Sequence, residues 1–121
     1  MIYDKNNIFA KILRKEIPCN KIYENEYILS FYDINPQKKI HALIIPKGEY
    51  IDLDDFNKKA SNQEIVALIK GISDVAKKLG ISVEANKGYR ALTNLGEDGG
   101  QEVPHLHFHL FGGEKVGKMV E

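Results

Sequence analysis

Cysteine occurs once in these 121 residues, at Cys19. A lone thiol excludes an internal disulfide and any multi-cysteine metal site. Arginine is nearly as scarce, with only Arg14 and Arg90. Proteins that read a phosphate backbone usually cluster arginine and lysine on one face, so the composition argues against nucleic acid as a partner. A net charge of either sign is missing too. Seventeen basic and 17 acidic side chains balance, and no global field draws the chain to nucleic acid or to an anionic membrane. No apolar run approaches the ~20 residues of a membrane span. The opening MIYDKNNIF has no basic region followed by an apolar stretch, as a secretory leader would. These absences predict a soluble cytoplasmic protein. The length fits one domain, residues 1–121, around one modest core.

What is present reads as an α+β chain without linker, repeat or low-complexity segment. NNIFAKILRKEIP places Ile8, Phe9, Ile12 and Leu13 on one helical face, with Asn6 or Asn7 as the cap and Pro18 beyond the end. CNKIYENEYILSFYDINP reads as two short strands turning near Glu24-Asn25. KIHALIIP is a third strand, apolar enough to be buried on both faces. SNQEIVALIKGISDVAKKLG is the clearest helix. Ser61 and Glu64 have capping-box spacing, Ile65, Leu68, Ile69, Ile72, Val75, Ala76 and Leu79 form its apolar stripe, and Gly80 ends it. GYRALTNL and HLHFHLF complete five strands, joined by the loop GEDGGQEVP. The short connections between the first three strands predict an antiparallel sheet accompanied by two helices.

Three of the four histidines, His105, His107 and His109, alternate within VPHLHFHLFGG. On a strand they share one face, and Leu106, Phe108 and Leu110 pack against the helices from the other. Three readings compete. The histidines can be ordinary residues with satisfied hydrogen bonds. They can hold a metal, but an extended strand rises about 3.4 Å per residue, and His105 and His109 then lie too far apart to share one zinc. Two of them would need His41 or a carboxylate as a further ligand. The third reading is nucleophilic and acid–base chemistry. A neutral imidazole can carry a transferred phosphoryl group on nitrogen. Neighbouring imidazoles do not all protonate cheaply, so one stays neutral to attack. His107, flanked on both sides, is the best-supported reacting group. No G-x-S-x-G elbow competes with it.

At this point the chain resembles the histidine triad (HIT) family, in particular the bacterial-type nucleotide-binding proteins of the Hint branch. The resemblance rests on HLHFHLF and on four further segments in matching order: IFAKILRKEIP, SFYDINPQ, HALIIPK and KGYRALTN, with EDGGQEVP leading into the triad. It implies a homodimer in which two five-stranded sheets join across a two-fold axis. The implied activity is hydrolysis of adenosine 5′-phosphoramidates and aminoacyl-adenylate-like compounds through a nucleotidyl-histidine. Purine nucleotides such as AMP and GMP are the implied ligands, and the chemistry needs neither metal nor other cofactor. By the same resemblance His107 is the nucleophile, His105 orients it, His109 meets the phosphate and His41 bonds within the triad. Asp33 is the ribose-binding carboxylate. Ile8, Phe9, Ile12, Phe31, Ile34 and Leu43 surround the purine, while Asn94, Gly99, Gly100, Gln101 and Glu102 lie on the phosphate side. On their own, Asp33 would be read as starting the Asp-Ile-Asn-Pro turn and the apolar set as ordinary core.

Some positions depart from the animal members. Glu102 stands where those carry serine, Tyr32 replaces a histidine beside the purine, and Pro104 replaces a tyrosine before the triad. The tail EKVGKMVE lacks an aromatic end. Two alternatives accompany the phosphoramidase expectation. One is a dinucleoside polyphosphate hydrolase like the Fhit branch. The other is a nucleotide-binding or interaction module with little catalysis.

Overall fold

Residues 2–120 are described by a computed structural model, whose centre is one antiparallel sheet. Its strands are β1 (Lys21–Glu24), β2 (Ile28–Tyr32), β3 (Ile40–Pro46), β4 (Arg90–Leu92) and β5 (Phe108–Gly112), in the spatial order β1-β2-β3-β5-β4. The first three form the expected meander. Asn25 makes its first turn, because the Asn25 side-chain oxygen accepts from the N–H groups of Tyr27 at 2.8 Å and Ile28 at 3.0 Å. This is the asparagine-type turn that competes with strand geometry.

Among the described residues three α-helices accompany the sheet, one more than the sequence predicts: α1 (Ile8–Leu13), α2 (Leu53–Lys59) and α3 (Asn62–Lys78). Asn7 caps α1 by accepting the Ala10 N–H. Ser61 and Glu64 make the reciprocal capping box of α3, and Gly80 leaves that helix at a left-handed φ of +75°, which glycine adopts without a Cβ clash. The extra helix, α2, is seven residues long and buries only Phe56. One buried position makes no periodic stripe, so periodicity does not reveal it. Its signal is instead Asp52, whose carboxylate accepts the Asp55 N–H at 2.8 Å. The stripe of α3 needs one correction: Ile69 is 57% exposed. The helix contacts the sheet through Leu68, Gly71, Val75 and Ala76, and Gly71 lies so close over Ile28 that a Cβ there would come within 2.2 Å of the Ile28 side chain.

Strand alternation sorts the core into two layers. Ile28, Ala42, Ile44 and Leu110 join Leu106 and the α3 residues on one face. Leu29, Phe31, Leu43 and Ile45 join Phe9 and Ile12 of α1 on the other. That second face, covered by the short α1 together with Ile17, Cys19 and Val103, is the one that carries the histidines. Leu106 and Leu110 are fully packed on the opposite side, as the alternation predicts.

Candidate active site

The sheet register brings the site together. Phe31 pairs with Leu43, Leu43 with His109, and His109 with Leu92, so these four form one row across β2, β3, β5 and β4. Residues directly opposite in a ladder point to the same face. His41, on β3, pairs with Phe111. The three triad histidines do not lie on one regular strand, however. The β5 ladder begins at Phe108, and His105 and His107 precede it.

That leading segment is pinned by individual bonds instead. The Leu106 N–H donates to Tyr50 O at 2.8 Å, and the Thr93 hydroxyl donates to His107 O at 2.6 Å. Gln101 Nε2 donates to Ile51 O at 2.7 Å and to Val103 O at 3.0 Å.

The partners fix where each imidazole proton sits. A carbonyl can only accept, so a ring nitrogen facing one must carry hydrogen. His107 Nδ1 lies 2.7 Å from His105 O. In the neutral ring its Nε2 is therefore bare, with a free lone pair. His105 Nε2 lies 2.9 Å from Pro46 O and donates to it. The Gln37 N–H donates to His41 Nδ1 at 3.2 Å, which leaves the proton of His41 on Nε2. That nitrogen lies 2.9 Å from His109 Nδ1, so His41 donates and His109 accepts. His109 consequently carries its own proton on Nε2. One imidazole thus offers a lone pair and its neighbour offers an N–H, with ring centres 5.1 Å apart.

Burial disfavours the charged form of all four rings. It pushes His105 down to about 4, and the adjacent His107 pushes the same way. His109 is also lowered to about 4, first by burial and then by His107 and His41. Burial lowers His107, while His105 O, Asp33 and Glu102 pull in the opposite direction. His41 is lowered by burial against the pull of Asp33. A neutral imidazole is the nucleophilic form.

A cleft of about 360 Å³ opens in front of His107 and His109, within the size range of small-molecule sites. Ile8, Phe9, Ile12, Phe31, Ile34 and Leu43 form its apolar wall, and Asp33, Asn94, Gly100 and Glu102 its polar side. Ile34 is 83% exposed at the mouth. Asp33 serves the turn and the cleft together. One carboxylate oxygen accepts the Asn35 N–H at 2.8 Å, and the other lies 3.4 Å from His41 Nε2.

His105 and His41 are buried behind the cleft. Gly99 and Gln101 are outside its wall. A Cβ on Gly99 would fall 2.1 Å from Leu95 O, so that glycine is required by the turn itself. The Gly100 and Gln101 N–H groups already donate to Glu97 O and Gly96 O, so these two backbone donors close the loop on itself.

Sequence reasoning missed Ile17, Pro18, Cys19, Gln37 and Val103 in the wall, Thr93 and Tyr3 as hydrogen-bond partners of the triad segment, and Gln37 as the partner of His41. The fold assembles these from distant positions, and no local pattern marks them.

Asp33, His41 and His109 bring three ligand-type atoms within 4.8 Å of one another. The cluster holds both further ligands that the metal reading names, but only one triad histidine where that reading needs two. The donor chemistry fits poorly: His41 Nε2 carries a proton directed at His109 Nδ1, and the other His41 nitrogen is occupied by the Gln37 N–H. A metal ligand must present a lone pair.

Residues 14–116 match the family model described as the HIT domain. The chain is 52% identical over 118 residues to a 13.2 kDa HIT-like protein of Azospirillum brasilense, covering 98% of this chain and 94% of that one. Among solved structures it resembles a HIT family hydrolase from Clostridium thermocellum, with a TM-score of 0.84 and 38% identity over 98% of this chain and 99% of that one. It also resembles a histidine triad nucleotide-binding protein from Candida albicans, with a TM-score of 0.78 and 32% identity over 96% and 85% of the two chains.

Proposed function

The chain belongs to the HIT domain family, and on that premise we propose that it is a purine nucleoside phosphoramidase of the Hint branch. The observation that carries this reading is the proton arrangement: a bare His107 Nε2 beside a His109 Nε2–H, both rings on the cleft. Likeness to a family hydrolase and to a nucleotide-binding member supports the class of reaction and ligand.

The reaction runs in two displacements. The purine lies against the wall of Ile8, Phe9, Ile12, Phe31, Ile34 and Leu43, and Asp33 accepts from the ribose hydroxyls. Asn94 and His109 Nε2–H donate to the phosphoryl oxygens. His107 Nε2 attacks the α-phosphorus, and its Nδ1–H stays on His105 O as positive charge develops on the ring. The P–N bond breaks with its electron pair going to nitrogen, which takes a proton from solvent and leaves as a neutral amine. Water then adds to phosphorus and gives up one proton to solvent, which replaces the one taken by the amine; the bond to His107 breaks with the pair returning to Nε2, and AMP departs. The balance is phosphoramidate plus water to AMP plus amine.

Charge favours this substrate over a dinucleoside polyphosphate. The cleft wall contains two carboxylates, Asp33 and Glu102, and no lysine or arginine. A polyphosphate would bring several negative charges to a site without a fixed cation, and like charges at close range are costly. Turnover of an adenosine phosphoramidate and of diadenosine polyphosphates on purified protein tests this. A clear preference for the polyphosphate would overturn the reading.

Replacing Asp33 with alanine is expected to weaken AMP binding about tenfold or more, because a hydrogen bond to a charged acceptor contributes roughly 1.5–3 kcal/mol. Preference for ribose over deoxyribose should shrink with it. Calorimetric titration of AMP and its 2′-deoxy analogue checks both, and an unchanged affinity and preference would remove Asp33 from the ligand site.

The same reading includes a two-fold dimer built on β4. That strand closes one edge of the sheet, and an uncovered edge presents unpaired backbone groups to a second copy. Light scattering at micromolar concentration should give twice the 13.7 kDa chain mass. A monomer would contradict the dimer.

A further inference from the structure

We infer that Tyr3 is a positioning residue of the triad: its phenol hydroxyl holds the His105 ring in a single tautomer and so anchors the segment that orients His107. This rests on the phosphoramidase reading. The family match covers residues 14–116, and Tyr3 lies outside it.

The geometry is a chain of three contacts. The Tyr3 hydroxyl lies 2.6 Å from His105 Nδ1, across 102 residues of sequence. His105 Nε2 donates to Pro46 O on the far side of the ring. With the proton fixed on Nε2, Nδ1 is an acceptor, and Tyr3 O–H is the donor that fills it. The carbonyl of the same His105 then accepts the His107 Nδ1–H. His105 is 0% exposed, so water does not readily replace the phenol. The Tyr3 ring also meets the His105 ring edge-on, with centres 5.6 Å apart at 70°.

The position matters because no strand ladder holds these residues. His105 and His107 precede β5 and depend on separate pins. Without the hydroxyl, His105 Nδ1 is a buried acceptor with no donor, and such a group relaxes towards other arrangements. The alternative tautomer would leave Pro46 O without its donor. Either change moves the carbonyl on which the tautomer of His107 depends.

Tyr3→Phe keeps the ring and removes the oxygen alone. In the wild type, long-range ¹H–¹⁵N correlation should report His105 with hydrogen on Nε2 and a bare Nδ1; in the variant the two tautomers should mix. The kcat for an adenosine phosphoramidate should fall about tenfold, the equivalent of one hydrogen bond, with KM and AMP affinity unchanged. Tyr23→Phe removes another half-buried phenol's hydrogen bond, the one from Asn25 Nδ2 on the sheet edge away from the cleft, and should leave kcat as it is. Unchanged His105 signals in Tyr3→Phe would overturn the proposal. So would a wild-type kcat in that variant, or an equal loss in Tyr23→Phe. A wild-type protein that does not turn over phosphoramidates at all would instead sink the phosphoramidase reading, and with it any nucleophile for Tyr3 to position.

Discussion

His107→Ala is expected to lower phosphoramidate turnover on the order of 10⁴-fold or more, the scale seen when a covalent nucleophile is deleted. The cause is local. His107 Nε2 is the bare imidazole nitrogen on the cleft, and His109 and His41 have their acceptor nitrogens filled. Neither neighbour can substitute without first releasing its proton arrangement. AMP affinity should change little, because Asp33, Asn94 and the apolar wall remain. His41→Ala should slow turnover less, since it removes the donor that sets the His109 proton rather than the attacking atom. His109→Ala should affect phosphate contact and rate together. Steady-state kinetics and AMP titration on the three variants check this order. A His107→Ala protein with near-normal turnover would exclude His107 as nucleophile.

Stability is expected to fall steeply as pH drops from about 6.5 to about 4. Folded His105 and His109 take up protons at about 4, whereas an unfolded histidine does so near 6.5. Between those values the unfolded chain binds protons that the folded chain refuses. Acid therefore favours unfolding, and this contribution is fully present above about 6.5 and gone below about 4. For His105, which is completely buried, the difference amounts to roughly 3 kcal/mol. That is a large share of the 5–15 kcal/mol typical of a folded domain. Over the same range kcat should not fall with an ordinary histidine pKa, because His107 is already lowered by burial. Denaturant titrations from pH 8 to pH 4 measure the first effect. A flat stability profile would mean that His105 and His109 take up protons in the folded protein at the same pH as in the unfolded chain.

The sequence was most informative where chemistry and pattern coincide locally. The capping box of Ser61 and Glu64, the cap at Asn7 and the apolar run of KIHALIIP, buried on both faces, each act within a few residues, and each appears in the fold as expected. The histidine row was legible as a site, but its form was not. Alternation suggested a strand, while β5 starts only at Phe108. The pairing of His41 with His109 depends on the β3–β5 register, which no single segment encodes. Tyr3 meets His105 only because the fold returns the N-terminal segment to the triad. The glycine loop was legible as a turn, yet its backbone donors close on its own carbonyls, a choice made by local φ values such as +75° at Gly100.

The covalent intermediate is the central claim, and rapid acid-free quenching of the wild-type protein during phosphoramidate turnover tests it most directly. Intact-protein and peptide mass spectrometry should find one AMP adduct, on His107, that disappears as substrate is exhausted. An adduct on another residue, or steady turnover with no adduct and an activity that a chelator removes and zinc restores, would contradict it and move the chemistry to the Asp33–His41–His109 cluster.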